Sequence, residues 1–267
     1  MSCTPFLPLQ QSPTFAAALS DFGVDVCNYD PVIVRWRFAL IGHVGFATRI
    51  TCNTDQLRAL RRDGLRILNG DRDTPNVYKS AGFHQIITPA HSAELDLRGS
   101  DADRRAALHP KWRNQLRRAE ASHLRLQETE WRGGAHPLFD HAAVQARERR
   151  YRQLPHRLIT AFAHHAPDAP LIFAACDKGS IIAAILILRH GTTATYQTAW
   201  TNPHGRACNA HNLLLFHAAN RLSTLGHDTF DLGLVETDHG ASLARFKLRT
   251  GATLRKLGGT WIALSGR

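Results

Sequence analysis

Asp231 stands inside Phe230-Asp231-Leu232-Gly233, a run that otherwise reads as a buried strand, and Lys247 follows about one helix later. A carboxylate between Phe230 and Leu232 costs free energy unless a cation or N–H donors meet it. It is either a base or grip for a substrate ammonium, or a structural partner of Lys247 or an arginine. The sequence leaves both open. Glu236 and Asp238 follow in the next loop, where substrate-touching side chains gather. His239 beside them titrates near neutrality and is a candidate base. The plain alternatives are solvated loop acids and, in a chain of 16 histidines, an incidental imidazole. Lys247 is a compact point charge suited to phosphate. Arg113 and Arg117 fall one helical turn apart and could share an anion or form a solvated basic face. His204, Cys208 and His211 have spacings a metal could use. A fourth ligand is not apparent nearby, so no metal site is expected.

The elements that must position these residues are clearest in the last hundred. Strands are predicted at 171–176, 181–189 and 193–200, with turns at Asp177-Lys178-Gly179-Ser180 and His190-Gly191. A loop at 201–209 leads to a helix over 210–225 stopped by Gly226, then a strand at 228–234, a helix at 242–250 and strand-like residues to 264 with a bulge or turn at Gly258-Gly259. Upstream, Val32, Val34, Trp36 and Phe38 alternate with Ile33, Arg35 and Arg37, which predicts the first of two strands over 32–51 with a turn at 42–45. A helix runs from Asn53 or Thr54 to Arg62. Residues 85–97 read as extended, interrupted at Pro89. Ser100 to Asp103 resembles a capping box opening a helical region to Ser122, broken at Pro110. A strand at 124–129 and helices at 138–151 and 156–165 follow. Residues 1–30 read as irregular apart from a short helical patch at 14–19.

Three blocks resemble the FemABX family and its GNAT-type acyltransferase relatives, including BioF2-like acetyltransferase domains. The first runs from Ala93-Glu94-Leu95-Asp96-Leu97 to Lys111-Trp112-Arg113-Asn114-Gln115-Leu116-Arg117-Arg118-Ala119-Glu120. The second is Ala210-His211-Asn212-Leu213-Leu214-Leu215-Phe216. The third is Phe230-Asp231-Leu232-Gly233 with Phe246-Lys247-Leu248-Arg249-Thr250-Gly251. The resemblance covers roughly residues 90–260. The chain departs from the peptidoglycan-building members in being short, in lacking a coiled-coil arm and in carrying Thr250 where an aromatic is usual. The resemblance implies a mixed α+β, GNAT-type acyl-CoA N-acyltransferase fold of two tandem GNAT-like halves, placed here at 1–125 and 126–267. It also implies transfer of an acyl or aminoacyl group to an amine.

Amide formation needs a polarised carbonyl, a neutral amine and a route for the proton. On such folds a strand that splays from its neighbour supplies backbone N–H donors to the carbonyl, here 193–200. Tyr196 on it is placed to hydrogen-bond a leaving group, or simply to pack. A base near the amine helps, which is the role considered for Asp231 and Glu236. The resemblance puts Lys247 beside a substrate phosphate. It puts the donor's phosphate at the start of the helix after the central strand, which selects Gly205, Arg206 and Asn209. One glycine is few for such a loop.

Composition bounds the partners. The chain has 267 residues, is 43% hydrophobic and carries a formal net charge of +11, with a pI near 10.1. Such a surface attracts polyanions such as nucleic acid or phosphate-bearing substrates, although an arginine-rich proteome would give the same bulk charge. Five cysteines without a CxxC pair read as reduced thiols. Residues 1–11 show no signal-peptide pattern, so the expected location is cytoplasmic. The expected co-substrate is acyl-CoA or aminoacyl-tRNA, and the acceptor a small amine, a peptide or a lipid precursor. A non-catalytic RNA- or tRNA-binding module on the same scaffold is the alternative.

Overall fold

The computed structural model describes residues 6–38, 42–236 and 240–264. Among them, α1 (Pro13–Asp21) is followed by β1 (Asp25–Tyr29), β2 (Val32–Phe38) and β3 (Gly42–Ile50), then α2 (Thr54–Arg62), β4 (Leu65–Gly70), α3 (Pro75–Ser80) and β5 (His84–Ile87). The chain continues through β6 (His91–Asp96), α4 (Asp101–Ala107), α5 (Pro110–Glu120), β7 (Arg125–Glu130), α6 (Pro137–Glu148) and α7 (His156–His165). It ends with β8 (Pro170–Asp177), β9 (Ser180–His190), β10 (Thr193–Thr201), α8 (Pro203–Ala207), α9 (Ala210–Thr224), β11 (Thr229–Val235), α10 (Ala241–Leu248), β12 (Thr253–Lys256) and β13 (Gly259–Ile262).

Two compact units result. One contains Ala93–Leu254; the other contains Leu7–Ser92 and the chain from Arg255 onward. The expected division at residue 125 does not coincide with this separation. Strand β6 pairs within the seven-stranded sheet of the larger unit, which sets the first boundary near residue 92, and the chain end sets the second. The Gly258-Gly259 turn, with Gly259 at φ +77°, sends β13 between β4 and β5 of a six-stranded sheet ordered β1-β2-β3-β4-β13-β5. The predicted single strand-like stretch at 253–264 is therefore two strands in two sheets.

The smaller unit packs Leu57, Leu65, Leu68, Tyr78, Phe83 and Trp261 into its core. Asn53 caps α2 through a reciprocal capping box with Gln56, both bonds at 2.9 Å. Strand β1, read from sequence as irregular, is half-exposed and pairs with β2. Its weak apolar alternation hides it.

The larger unit carries the order β12-β6-β11-β10-β9-β8-β7. Strands β8 and β9 are buried along nearly their whole length, which explains their continuous apolar runs. Helix α9 and strand residues Leu171, Phe173, Ile185, Ile187 and Phe230 share one core with Trp112 and Leu116 of α5. The chain breaks between α4 and α5 at Pro110 as predicted, and Ser100 and Asp103 complete a capping box with the short acid in the third position.

Gly205 marks the closest approach in this unit. A Cβ there would lie 2.5 Å from the Ile182 carbonyl oxygen and 2.6 Å from Thr201 Oγ1, so only glycine lets α8 lie against β9. Gly205→Ala is expected to cost about 1–3 kcal/mol, the range for overpacking a tight site. Thermal or urea unfolding would measure it, and an unchanged midpoint would contradict the packing.

Candidate active site

The site is built where β10 and β11 part. The two strands run parallel and pair at Thr193↔Thr229, Ala194↔Phe230 and Thr195↔Asp231, where their register ends. Both continue, β10 to Thr201 and β11 to Val235. At the same point β10 shifts register against β9, between Tyr196 and Thr198. Such a bulge bends a strand and re-aims its side chains. Beyond it, the Asn202 N–H still donates to Ile182 of β9 at 3.0 Å. The carbonyls of Ala199 and Thr201, by contrast, accept from Gln145 Nε2 (3.2 Å) and Arg206 Nη1 (2.8 Å). Since the N–H and C=O of one strand residue lie on one edge and alternate along the strand, the backbone edge at Ala199 faces away from β9, toward the side β11 has left. Helix α6 lies along this stretch: Gln145 also donates to the Tyr151 hydroxyl (3.1 Å), and His141 stacks on Trp200 at 4.0 Å.

Tyr196 stands beside the fork. Its hydroxyl is 2.5 Å from His211 Nε2 in the first turn of α9. Burial pushes the phenol up and lowers the imidazole to about 4. Both partners are therefore neutral near pH 7. Phe246 meets the His211 ring edge-on at 5.6 Å and packs on Trp112 at 5.9 Å, and Phe230 meets Tyr196 at 6.4 Å. An aromatic wall thus fixes the pair.

Because the folded pKa of His211 lies below its ordinary value, its stability contribution is present above about 6.5 and is lost as pH falls toward 4. The full loss is about 3 kcal/mol. Denaturant titrations at pH 7 and pH 4 should therefore show a larger acid destabilisation in the wild type than in His211→Gln. Equal losses would contradict a buried neutral imidazole.

Asp231 occupies the last paired position, 4% exposed. Its Oδ1 accepts from the Gly233 N–H at 2.7 Å. Lys247 of α10 is 7% exposed and donates from Nζ to the Leu234 carbonyl at 2.8 Å. Burial lowers its pKa to about 8, while the Asp231 charge opposes that fall. The Asp231 carboxylate is thus close enough to favour the charged form of Lys247 inside the larger unit. An amine of this pKa is partly neutral at pH 7.5, so reductive methylation of Lys247 monitored by NMR should report a midpoint near 8. A midpoint above 10 would contradict the burial.

The other predicted residues are placed less centrally. Glu236 is exposed just after β11. Asp238 and His239 lie outside the described residues. Arg113 is spent on the fold: its Nη2 donates to the Ala106 and Leu108 carbonyls at 2.8 and 2.9 Å, tying off the end of α4. Arg117 is exposed on the same helix. The Gly205 N–H is taken by Asn202 Oδ1 at 2.7 Å, so this glycine serves packing and does not offer its amide to a phosphate. Arg206 is exposed. Asn209 opens α9 in the left-handed conformation at φ +55° without a side-chain cap bond; its carbonyl takes the Asn212 N–H at 3.0 Å, so no side chain caps the N–H groups of Ala210 and His211. Among the described residues no group of three or more His, Cys, Asp or Glu side chains is arranged to hold a metal. His204 is bound to Asp177 at 2.7 Å and His211 to Tyr196. His211, Gln145, His141 and Trp200 were not selected as site residues from sequence. His211 appeared within the second family-like block and in a metal-like spacing, neither of which gave it a role beside Tyr196, and the α6 residues had no signal at all.

The family profile for the acetyltransferase (GNAT) domain matches residues 106–247, just over half of the chain. No curated protein matches. Among solved structures, the crystal structure of FemX is similar over 98% of this chain and 93% of its own, at 11% identity and a TM-score of 0.79. The C-terminal domain (DUF2156) of a putative lysylphosphatidylglycerol synthetase from Agrobacterium fabrum aligns over 96% and 89%, at 14% identity and a TM-score of 0.60. The L-PGS structure from Bacillus licheniformis aligns over 98% and 94%, at 11% identity and a TM-score of 0.55. At these identities the likeness establishes the fold.

Proposed function

The chain belongs to the acetyltransferase (GNAT) domain family and has a two-half GNAT fold of the FemX kind, and from that premise we propose that it joins an acyl or aminoacyl group to an amine, taking the group from a phosphate-bearing donor. The observation that carries the reading is the parting of β10 and β11 after Thr195↔Asp231, with Tyr196 and His211 beside the fork. A carbonyl lying along the freed edge of β10 would meet fixed backbone donors, which stabilise the oxyanion of acyl transfer.

Tyr196 would protonate the departing thiolate or ribose oxygen. In the Nε2–H tautomer His211 donates to the Tyr196 oxygen, which leaves the phenolic hydrogen for the leaving group. The high phenol pKa keeps that hydrogen in place until negative charge develops beside it. Asp231, at the fork, would hold the incoming ammonium or take its proton, while its charge keeps Lys247 protonated more than burial alone would allow.

The donor's phosphate would rest on the uncapped start of α9 with Arg206, where backbone N–H groups and the helix dipole favour an anion. With the Gly205 amide already engaged, this seat suits one phosphate better than a long pyrophosphate cradle. That favours aminoacyl-tRNA over coenzyme A, and the net charge of +11 favours a polyanionic donor in the same direction. The acceptor is an amine on a small molecule, a peptide or a lipid precursor, and the site is read as working in the cytoplasm. No helix among the described residues is long and apolar enough to cross a membrane.

Aminoacyl-tRNA and acyl-CoA donors supplied separately to the purified protein with a mixture of amine acceptors would test the reading. Amide product from the tRNA donor supports it. Tight tRNA binding with no product from any donor would favour the non-catalytic RNA-binding module instead.

A further inference from the structure

The His204 and Cys208 spacing that reads in sequence like a metal motif forms something else in the fold. Asp177 closes β8, His204 lies in α8, and Cys208 directly precedes the Asn209 cap of α9. His204 Nε2 is 2.7 Å from Asp177 Oδ2, and that bond holds the Asp177 carboxyl below its usual range. Cys208 Sγ lies 3.8 Å from His204 Nδ1 and 3.9 Å from Nε2. A nucleophile, a base within reach of it and an acid orienting the base are thus gathered on the surface of the larger unit, on side chains other than Tyr196 and His211.

We propose that Cys208 is a modification site, a thiol activated by His204 and Asp177 that exchanges with low-molecular-weight disulfides. With Nε2–H donating to the Asp177 carboxylate, the Nδ1 lone pair is left to take the thiol proton. The near-equal distances place the sulfur alongside the ring, between its two nitrogens. The imidazolium therefore stabilises the thiolate by charge, which needs no in-line hydrogen bond. The positive end of the 15-residue helix α9 begins one residue later and acts in the same sense.

In the exchange the Cys208 thiolate attacks one sulfur of the disulfide R–S–S–R. A Cys208–S–S–R bond forms as the R–S–S–R bond breaks. The departing R–S⁻ receives, through His204, the proton that Cys208 gave up. The disulfide is the only co-reactant. The other described thiols provide the contrast. Cys27 is exposed, and its thiol lies 3.5 Å from the Ile33 carbonyl oxygen. Cys176 is buried. Burial and Asp30 push Cys52 up to about 11.

Oxidised glutathione at pH 7, with the adduct on each cysteine peptide quantified by mass spectrometry over time, tests the proposal. The thiolate is the attacking form, and a base held beside a thiol speeds exchange. Cys208 should therefore label at least about threefold faster than Cys27. His204→Gln and Asp177→Asn should bring Cys208 to the Cys27 rate. A wild-type Cys208 no faster than Cys27, a comparison that needs no variant, would overturn the proposal. So would a rate unchanged in His204→Gln. That an adduct would obstruct the start of α9 for a donor phosphate rests on the proposed function. The labelling rates do not, so the two readings fail separately.

Discussion

Tyr196→Phe is expected to lower kcat for amide formation by about a hundredfold or more, the scale of a positioned general acid, while costing only about 1–3 kcal/mol of stability for the stranded His211 N–H. The phenyl ring keeps its contacts with Phe230 and the His211 edge and loses only the hydroxyl bonded to Nε2. The loss should fall on kcat more than on KM, because a proton given to the leaving group acts in the transition state. His211→Gln retains a donor to the Tyr196 oxygen and should lose less activity. Neither Tyr196 nor His211 changes charge between pH 6 and 9, so any limb of the rate profile near pH 8 belongs to Lys247 or to the acceptor amine. Product assays over that range would check this. A variant with full kcat would remove Tyr196 from the chemistry.

Asp231→Ala should destabilise the protein by about 3–5 kcal/mol, because it strands a buried ammonium. Urea unfolding would read it. Asp231→Asn keeps an acceptor for the Gly233 N–H and should cost less. In a double-mutant cycle with Lys247→Met, much of the loss should disappear, since the stranded charge is then gone. Additive losses would mean that the two groups do not act on one another. Activity separates the remaining roles. If Asp231 also handles the amine, Asp231→Asn loses turnover well beyond its loss of folded protein. If it serves only as the partner of Lys247, turnover tracks folded fraction.

The larger unit was far more legible from sequence than the smaller one. Continuous apolar runs at 171–176 and 181–188, Gly and Asp turns, and stops at Gly226 and Gly251 name their elements directly. The family-like blocks set the order. Strand β1 and strand β4 escaped because short strands with mixed burial lack a clean period. The insertion of β13 between β4 and β5 follows from pairing across almost 200 residues, and no local pattern encodes it.

Asp231 was singled out because a carboxylate between Phe230 and Leu232 is costly, Lys247 through the family resemblance, and Tyr196 through its place on the central strand. Arg113 and Gly205 have a spacing that looks functional, while the bonds they make serve a helix end and a close approach. His211 was missed as a partner for Tyr196 because a hydrogen bond across 15 residues depends on where α9 returns over the sheet. Gln145 reaches the Ala199 carbonyl from a helix 54 residues away and leaves no trace in a single chain.

The most direct measurement is mass-spectrometric detection of a new amide when purified protein, charged donor and amine acceptors are mixed, run in parallel with Tyr196→Phe. The account predicts an amide that forms with wild-type protein and falls to about one per cent with the variant, while donor binding is equal in both. Donor bound equally well by the two proteins, with no amide from either, would contradict it.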